Sequence, residues 1–218
     1  MQVLPFSLSQ QISDLGQDLE EAVLNVLRSG QYIGGPQIKQ FEDSFAASVG
    51  CRHAVGCNSG TDALILALRA LGIGAGDEVI TCSFSFFATA EAISAVGATP
   101  VFVDVDPATY LIDLDQIETA ITPATKALMP VHLFGRPVDM TRRMAIAQTH
   151  NLKVVEDCAQ ATGAHWNGQP GRELKALCPK DERKSDTATR GTSCGPTTCT
   201  CTAGGTSNSA TNPVSYTH

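Results

Sequence analysis

From residue 54 to residue 156 the chain repeats one rhythm: a short apolar run, a Gly or Asp break, then a stretch with helical spacing. A chain that keeps switching in this way has to pair its strands in parallel and lay the intervening helices over the sheet. The runs predict strands at 54–57, 78–82, 100–103, 127–131 and 152–156, separated by helices at 61–71, 87–96, 113–121 and 138–150. Runs such as Pro100-Val101-Phe102-Val103 and Leu152-Lys153-Val154-Val155 suit a mostly parallel sheet covered on both faces. Two helices precede this region. Residues 14–29 put Leu15, Leu19, Val23, Val26 and Leu27 on one face before Gly30. Pro36 opens a second helix with Ile38, Phe41 and Phe45 in register, ending at Gly50.

The texture breaks near residue 170. Beyond it the periodic apolar spacing disappears, and from Ser185 the chain is rich in Thr, Ser, Gly and Cys. Such a stretch buries too little apolar surface to offset its ordering entropy. The expected division is therefore residues 1–170 as an α/β unit and 171–218 as a disordered tail.

At 218 residues and 43% hydrophobic, the chain has enough apolar material for one sizeable core. A net charge of -7 repels polyanions and argues against nucleic acid as a partner. The opening MQVLPFSLSQQ has no basic segment followed by an apolar one, so no secretory signal is expected. The most apolar tract, Phe84 to Val103, is interrupted by Glu91, Gly97 and Pro100, so no membrane span is expected and a cytoplasmic location is the default. Of the eight cysteines, Cys51, Cys57, Cys82 and Cys158 lie in apolar or Gly-rich settings typical of reduced thiols. Cys178, Cys194, Cys199 and Cys201 lack paired CxxC spacing, so no metal site is expected there.

Three stretches can carry chemistry. Cys57-Asn58-Ser59-Gly60-Thr61-Asp62 joins a strand to a helix start, where free amides and the helix dipole favour an anion; a plain N-cap is the alternative. In Cys82-Ser83-Phe84-Ser85-Phe86-Phe87-Ala88-Thr89, aromatic residues cluster just after a strand, either to stack on a flat ring or to fill the core. Glu156 and Asp157 leave a buried strand, where a carboxylate needs a cationic or hydrogen-bonding partner; Asp157 as a helix N-cap is the alternative. No GxGxxG follows the first strand, which disfavours a dinucleotide-binding oxidoreductase. Walker A, HExxH and GxSxG motifs are also missing.

Taken together, QYIGGP, NSGTDALILALRALGIGAGDEVIT, FFATAEAISAVGATPVFVDVDPATY, IETAITPATKALMPVHLFGRPVDM and VVEDCAQATGA resemble the DegT/DnrJ/EryC1/StrS family of sugar aminotransferases, in family order and spacing over residues 2–169. The resemblance implies the large domain of the type I aminotransferase fold and pyridoxal 5'-phosphate as cofactor. It implies an amino group transferred, with glutamate as donor, to a keto-sugar linked to a nucleotide in polysaccharide biosynthesis, by a homodimer. By the same resemblance, the amides of Gly60 and Thr61 and the Thr61 hydroxyl hold the cofactor phosphate. Phe86 stacks on the ring, Asp157 pairs with the ring nitrogen and Gln160 approaches the ring O3'. A carboxylate about 4 Å from a protonated ring nitrogen contributes roughly 4 kcal/mol at an effective dielectric near 20, which suits the electron-sink role of that ring. His132 is either a substrate-facing residue or a hydrogen-bonded structural one.

The resemblance fails at one position that matters. The lysine that carries the cofactor in the family should fall near residue 186, where this sequence has Asp186. Lys175, Lys180 and Lys184 lack the apolar strand-end setting that lowers a lysine pKa. No catalytic residue is therefore expected within the chain, residues 171–218 read as an out-of-frame translation, and the polypeptide itself is expected to be inert and poorly soluble. A non-catalytic module that binds the nucleotide sugar or the cofactor is the alternative.

Overall fold

A computed structural model describes residues 7–166, together with the backbone of residues 169 and 170. The tail expected to be disordered from residue 171, its three lysines and its four cysteines lie outside the described residues.

Helix α1 (Ser9–Ser29) follows the expected amphipathic stretch but starts earlier, and it breaks at Gly16, whose φ of 50° and ψ of -130° are not helical. None of its residues is buried, and Val23 and Leu27 are more than half exposed. Helix α2 (Pro36–Val49) begins on the proline, whose fixed φ suits a first helical turn, and buries only Ala46 and Val49.

The core is a four-stranded parallel sheet. Its strands are β1 (Glu78–Cys82), β2 (Thr99–Val103), β3 (Thr125–Met129) and β4 (Lys153–Val154), in the spatial order β2-β1-β3-β4. Between them run α4 (Phe87–Ala95), α5 (Leu114–Ala120) and α6 (Met140–Thr149), while α3 (Gly60–Ala70) precedes β1. Because side chains alternate along a strand, two separate cores form. Ile80, Cys82, Val103, Leu128 and Val154 face Leu114 and Ile117 of α5 and Ile146 and Ala147 of α6. Val79, Ala127, Met129 and Val155 face Leu64 and Leu68 of α3 and Ala92 and Ile93 of α4. At about 25 cal/mol per Å² of apolar surface, each of these large side chains contributes roughly 1.5–3 kcal/mol to holding its helix on the sheet.

Three strand expectations change. Residues 54–57 do not form a strand: Val55 is a lone bridge residue and 42% exposed. The third strand starts at Thr125 and stops at Met129, because Pro130 has no N–H to continue the ladder. The fourth shrinks to two residues, with a single parallel bridge from Val131 to Asp157 beyond it. Nor is the sheet covered everywhere. β2 lies at the edge, where Pro100 is tolerated, and leaves Phe102 54% exposed. A two-stranded antiparallel ladder, β5 (His165–Trp166) with β6 (Gln169–Pro170), follows the sheet.

Candidate functional site

The strand order decides where a ligand fits. The chain passes from β1 to β2 on one side and then crosses back to β3 on the other, so the carboxyl ends of β1 and β3 flank the point where the winding reverses. In open parallel sheets that point is the natural crevice. The segment after β1 contains Ser85 and Phe86, the segment after β3 contains His132 and Phe134, and Asp157 and Gln160 follow β4.

Asp157 is the centre of this edge. Its backbone is locked on both sides, with its N–H donating to the Pro130 carbonyl at 2.9 Å and its own carbonyl accepting from His132 at 3.0 Å. Its side chain points to the α3/α4 face, where the Thr89 hydroxyl donates to Oδ2 at 3.0 Å and the Ala159 amide donates to Oδ1 at 3.2 Å. No cation pairs with it among the described residues. Burial pushes its carboxyl above the usual carboxylate range, while the Ala159 amide, the Thr89 hydroxyl and, least, the nearby His132 pull the other way. No helix starts here, so the N-cap alternative reduces to a local turn.

Phe86 is the cap residue of α4 and is 51% exposed, so it is not a core residue. The Thr89 N–H donates to its carbonyl at 3.2 Å, and the Ser85 and Thr89 hydroxyls lie 2.8 Å apart. Thr89 therefore ties Phe86 and Asp157 together. Gln160 uses Oε1 to accept the Phe134 N–H at 2.9 Å, which leaves its amide nitrogen as a donor. Gly60 and Thr61 open α3, where Ser59 caps by accepting the Asp62 N–H at 3.1 Å. The cap alternative is thus realised, and yet the Gly60 and Thr61 amides keep no protein acceptor among the described residues.

His132 belongs to the other face. Its Nδ1 accepts the Val138 N–H at 3.0 Å, so its proton sits on Nε2, which donates to Glu156 Oε2 at 3.1 Å. Arg143 of α6 completes the set, donating from Nη2 to Glu156 Oε1 at 3.0 Å. With both ring nitrogens engaged and 2% exposure, His132 has the hydrogen-bonded structural environment that was its alternative reading. Cys158 brings a third ligand atom within 4.8 Å of those of His132 and Glu156, but the guanidinium on Glu156 already supplies the positive charge a metal would bring. The Cys82 thiol, beneath the site, is pushed up to about 11 by burial and is no nucleophile at neutral pH. Thr89, Arg143 and the role of Glu156 are not evident from sequence. The one hint is the spacing of Ser85 and Thr89, four apart at a helix start.

A family model for the DegT/DnrJ/EryC1/StrS aminotransferases matches residues 13–178, running past the texture break at residue 170. The chain belongs to this family. Among its relatives, the UDP-N-acetyl-3-dehydro-alpha-D-glucosamine 3-aminotransferase of Acidithiobacillus ferrooxidans is 53% identical, over 74% of this chain and 44% of that protein. A crystal structure of DesV from Streptomyces venezuelae, in complex with a ketimine intermediate, superposes with a TM-score of 0.75 at 47% identity. That match covers 78% of this chain and 46% of DesV. A sugar aminotransferase of Streptococcus pneumoniae solved in its PMP form superposes with a TM-score of 0.67 at 35% identity, covering 69% of this chain and 42% of that one. The chain spans less than half the length of the curated relatives it matches. Family membership and these neighbours indicate pyridoxal phosphate as the cofactor and make the large domain of an aminotransferase the fold. Among the described residues, no helix is long and apolar enough to cross a membrane.

Proposed function

We propose that residues 1–170 form the cofactor-binding part of an aminotransferase that moves an amino group, with glutamate as donor, onto a keto-sugar carried by a nucleotide. Asp157 carries this reading: a buried carboxylate with hydroxyl and amide donors but no paired cation among the described residues suits a cationic ligand atom, and a protonated pyridine nitrogen is one. Pyridoxal phosphate, when bound, supplies an electron sink whose strength depends on that protonated nitrogen.

The chain's own residues divide the work around it. Asp157 holds the ring-nitrogen proton. The amides of Gly60 and Thr61, without an acceptor among the described residues and at the positive end of α3, would receive the phosphate together with the Thr61 hydroxyl. Phe86, exposed at the strand end, covers one face of the ring. Gln160, with its oxygen committed to Phe134, offers N–H to the ring O3'. The donor acid, the nucleotide sugar and a second copy of the chain are the partners on this reading, which places the chain in a reducing cytoplasm, as the apolar or Gly-rich settings of Cys51, Cys57 and Cys82 suit.

For the 218-residue polypeptide, binding without turnover is expected, since none of Lys175, Lys180 and Lys184 has the apolar strand-end setting that lowers a lysine pKa. Calorimetry with pyridoxamine phosphate, which needs no lysine, tests the seat. Saturable binding that weakens when the phosphate is removed from the ligand supports the reading, and no heat at all refutes it. A borohydride-stable adduct mapped to one lysine would overturn the expected inertness.

A further inference from the structure

We propose that Thr89 is a positioning residue that aims the Asp157 carboxylate at the ring nitrogen and, through Ser85, couples that aim to the segment carrying Phe86. The inference rests on the cofactor seat proposed above. An ionised carboxylate only accepts, so the single hydroxyl proton of Thr89 goes to Asp157 Oδ2, and the Ser85 hydroxyl must then donate to Thr89. Thr89 is 2% exposed, and its bond to Asp157 links different elements 68 positions apart in sequence. Its own N–H holds the Phe86 carbonyl. One residue thus contacts, by its hydroxyl and its backbone N–H, the groups proposed to lie beside the ring at its edge and on its face. A hydroxyl donor to a charged acceptor is worth more than one between neutral groups, and the Ala159 amide alone leaves Oδ2 free to turn.

The test uses the full chain and pyridoxamine phosphate labelled with 15N in the ring. Wild type is expected to bind it with the ring nitrogen protonated, seen in the nitrogen chemical shift. Thr89→Ser, which keeps the hydroxyl, is expected to match wild type within about twofold, while Thr89→Val loses about tenfold or more in affinity and moves the resonance toward the unprotonated ring. A circular dichroism spectrum checks that Thr89→Val is folded. If it is not, Ser85→Ala is the variant to read, with a smaller loss in affinity and a shift in the same direction. Wild-type affinity and an unchanged nitrogen shift in folded Thr89→Val, or in Ser85→Ala when that variant is the one read, would overturn the inference and leave the seat standing. Failure of wild type itself to bind would overturn both.

Discussion

Glu156 and Asp157 are neighbours in sequence and opposites in chemistry. Successive residues at the end of a strand point to opposite faces, so Glu156 enters the α5/α6 side and Asp157 the α3/α4 side. Glu156 meets Arg143 and His132 in a closed network whose side chains are 1–3% exposed. Asp157 meets a hydroxyl and an amide, and no cation among the described residues. The first carboxylate is matched by its own protein; the second waits for something to match it. A buried charge left in that condition is what separates a binding seat from a structural ion pair.

The comparison predicts opposite responses to the same chemical change, and the largest effect is on the closed side. Glu156→Gln strands the Arg143 guanidinium, whose Nε and Nη1 already lack partners, and should cost about 3–5 kcal/mol in urea unfolding. Replacing Arg143 by Met in the same chain should recover most of that loss, since an uncharged pair leaves no buried charge.

Asp157→Asn should do the reverse to the ligand-free protein. In the folded chain burial holds the Asp157 carboxyl above its ordinary 3.8, so its contribution to stability is complete below that pH and is lost as pH rises through the raised value. At pH 7 the amide removes this loss, and thermal melting should shift upward, with the gain vanishing in acid below the ordinary carboxylate range. Binding of pyridoxamine phosphate should fall sharply in the same variant. A destabilised Asp157→Asn at pH 7 would break the contrast. The smallest effect belongs to the cap on the open side: Ser59→Ala should lower stability by about 1 kcal/mol, and leaves the Gly60 and Thr61 amides in place.

Much of the fold is legible in the sequence because the period of its apolar residues is set locally. β1 lies at 78–82 as expected, bounded by the Asp77 turn and the polar Ser83. The two carboxylates at the β4 exit and the exposed Phe86 were also legible as types in a place. What was not legible depends on partners far away in sequence. A run at 54–57 reads like the other strands, but no local signal says whether neighbours exist to pair with it. Which of Glu156 and Asp157 meets Arg143 follows only from where α6 docks, and Thr89 acquires its meaning only when β4 arrives beside α4. His132 shows the same limit: strand-end placement is visible in PVHLFG, whereas the Val138 amide that fixes its tautomer is a feature of the folded turn.

The strand order has a consequence in time as well as in space. The helix end at Gly60 leaves the ribosome about a hundred residues before Asp157, an interval of roughly 5–20 s at ordinary rates of synthesis. Until Asp157 arrives, Thr89 has no such carboxylate to address and the sheet lacks β4. On the proposed reading of Asp157, a nascent chain cannot hold a pyridine nitrogen before the fourth parallel strand docks.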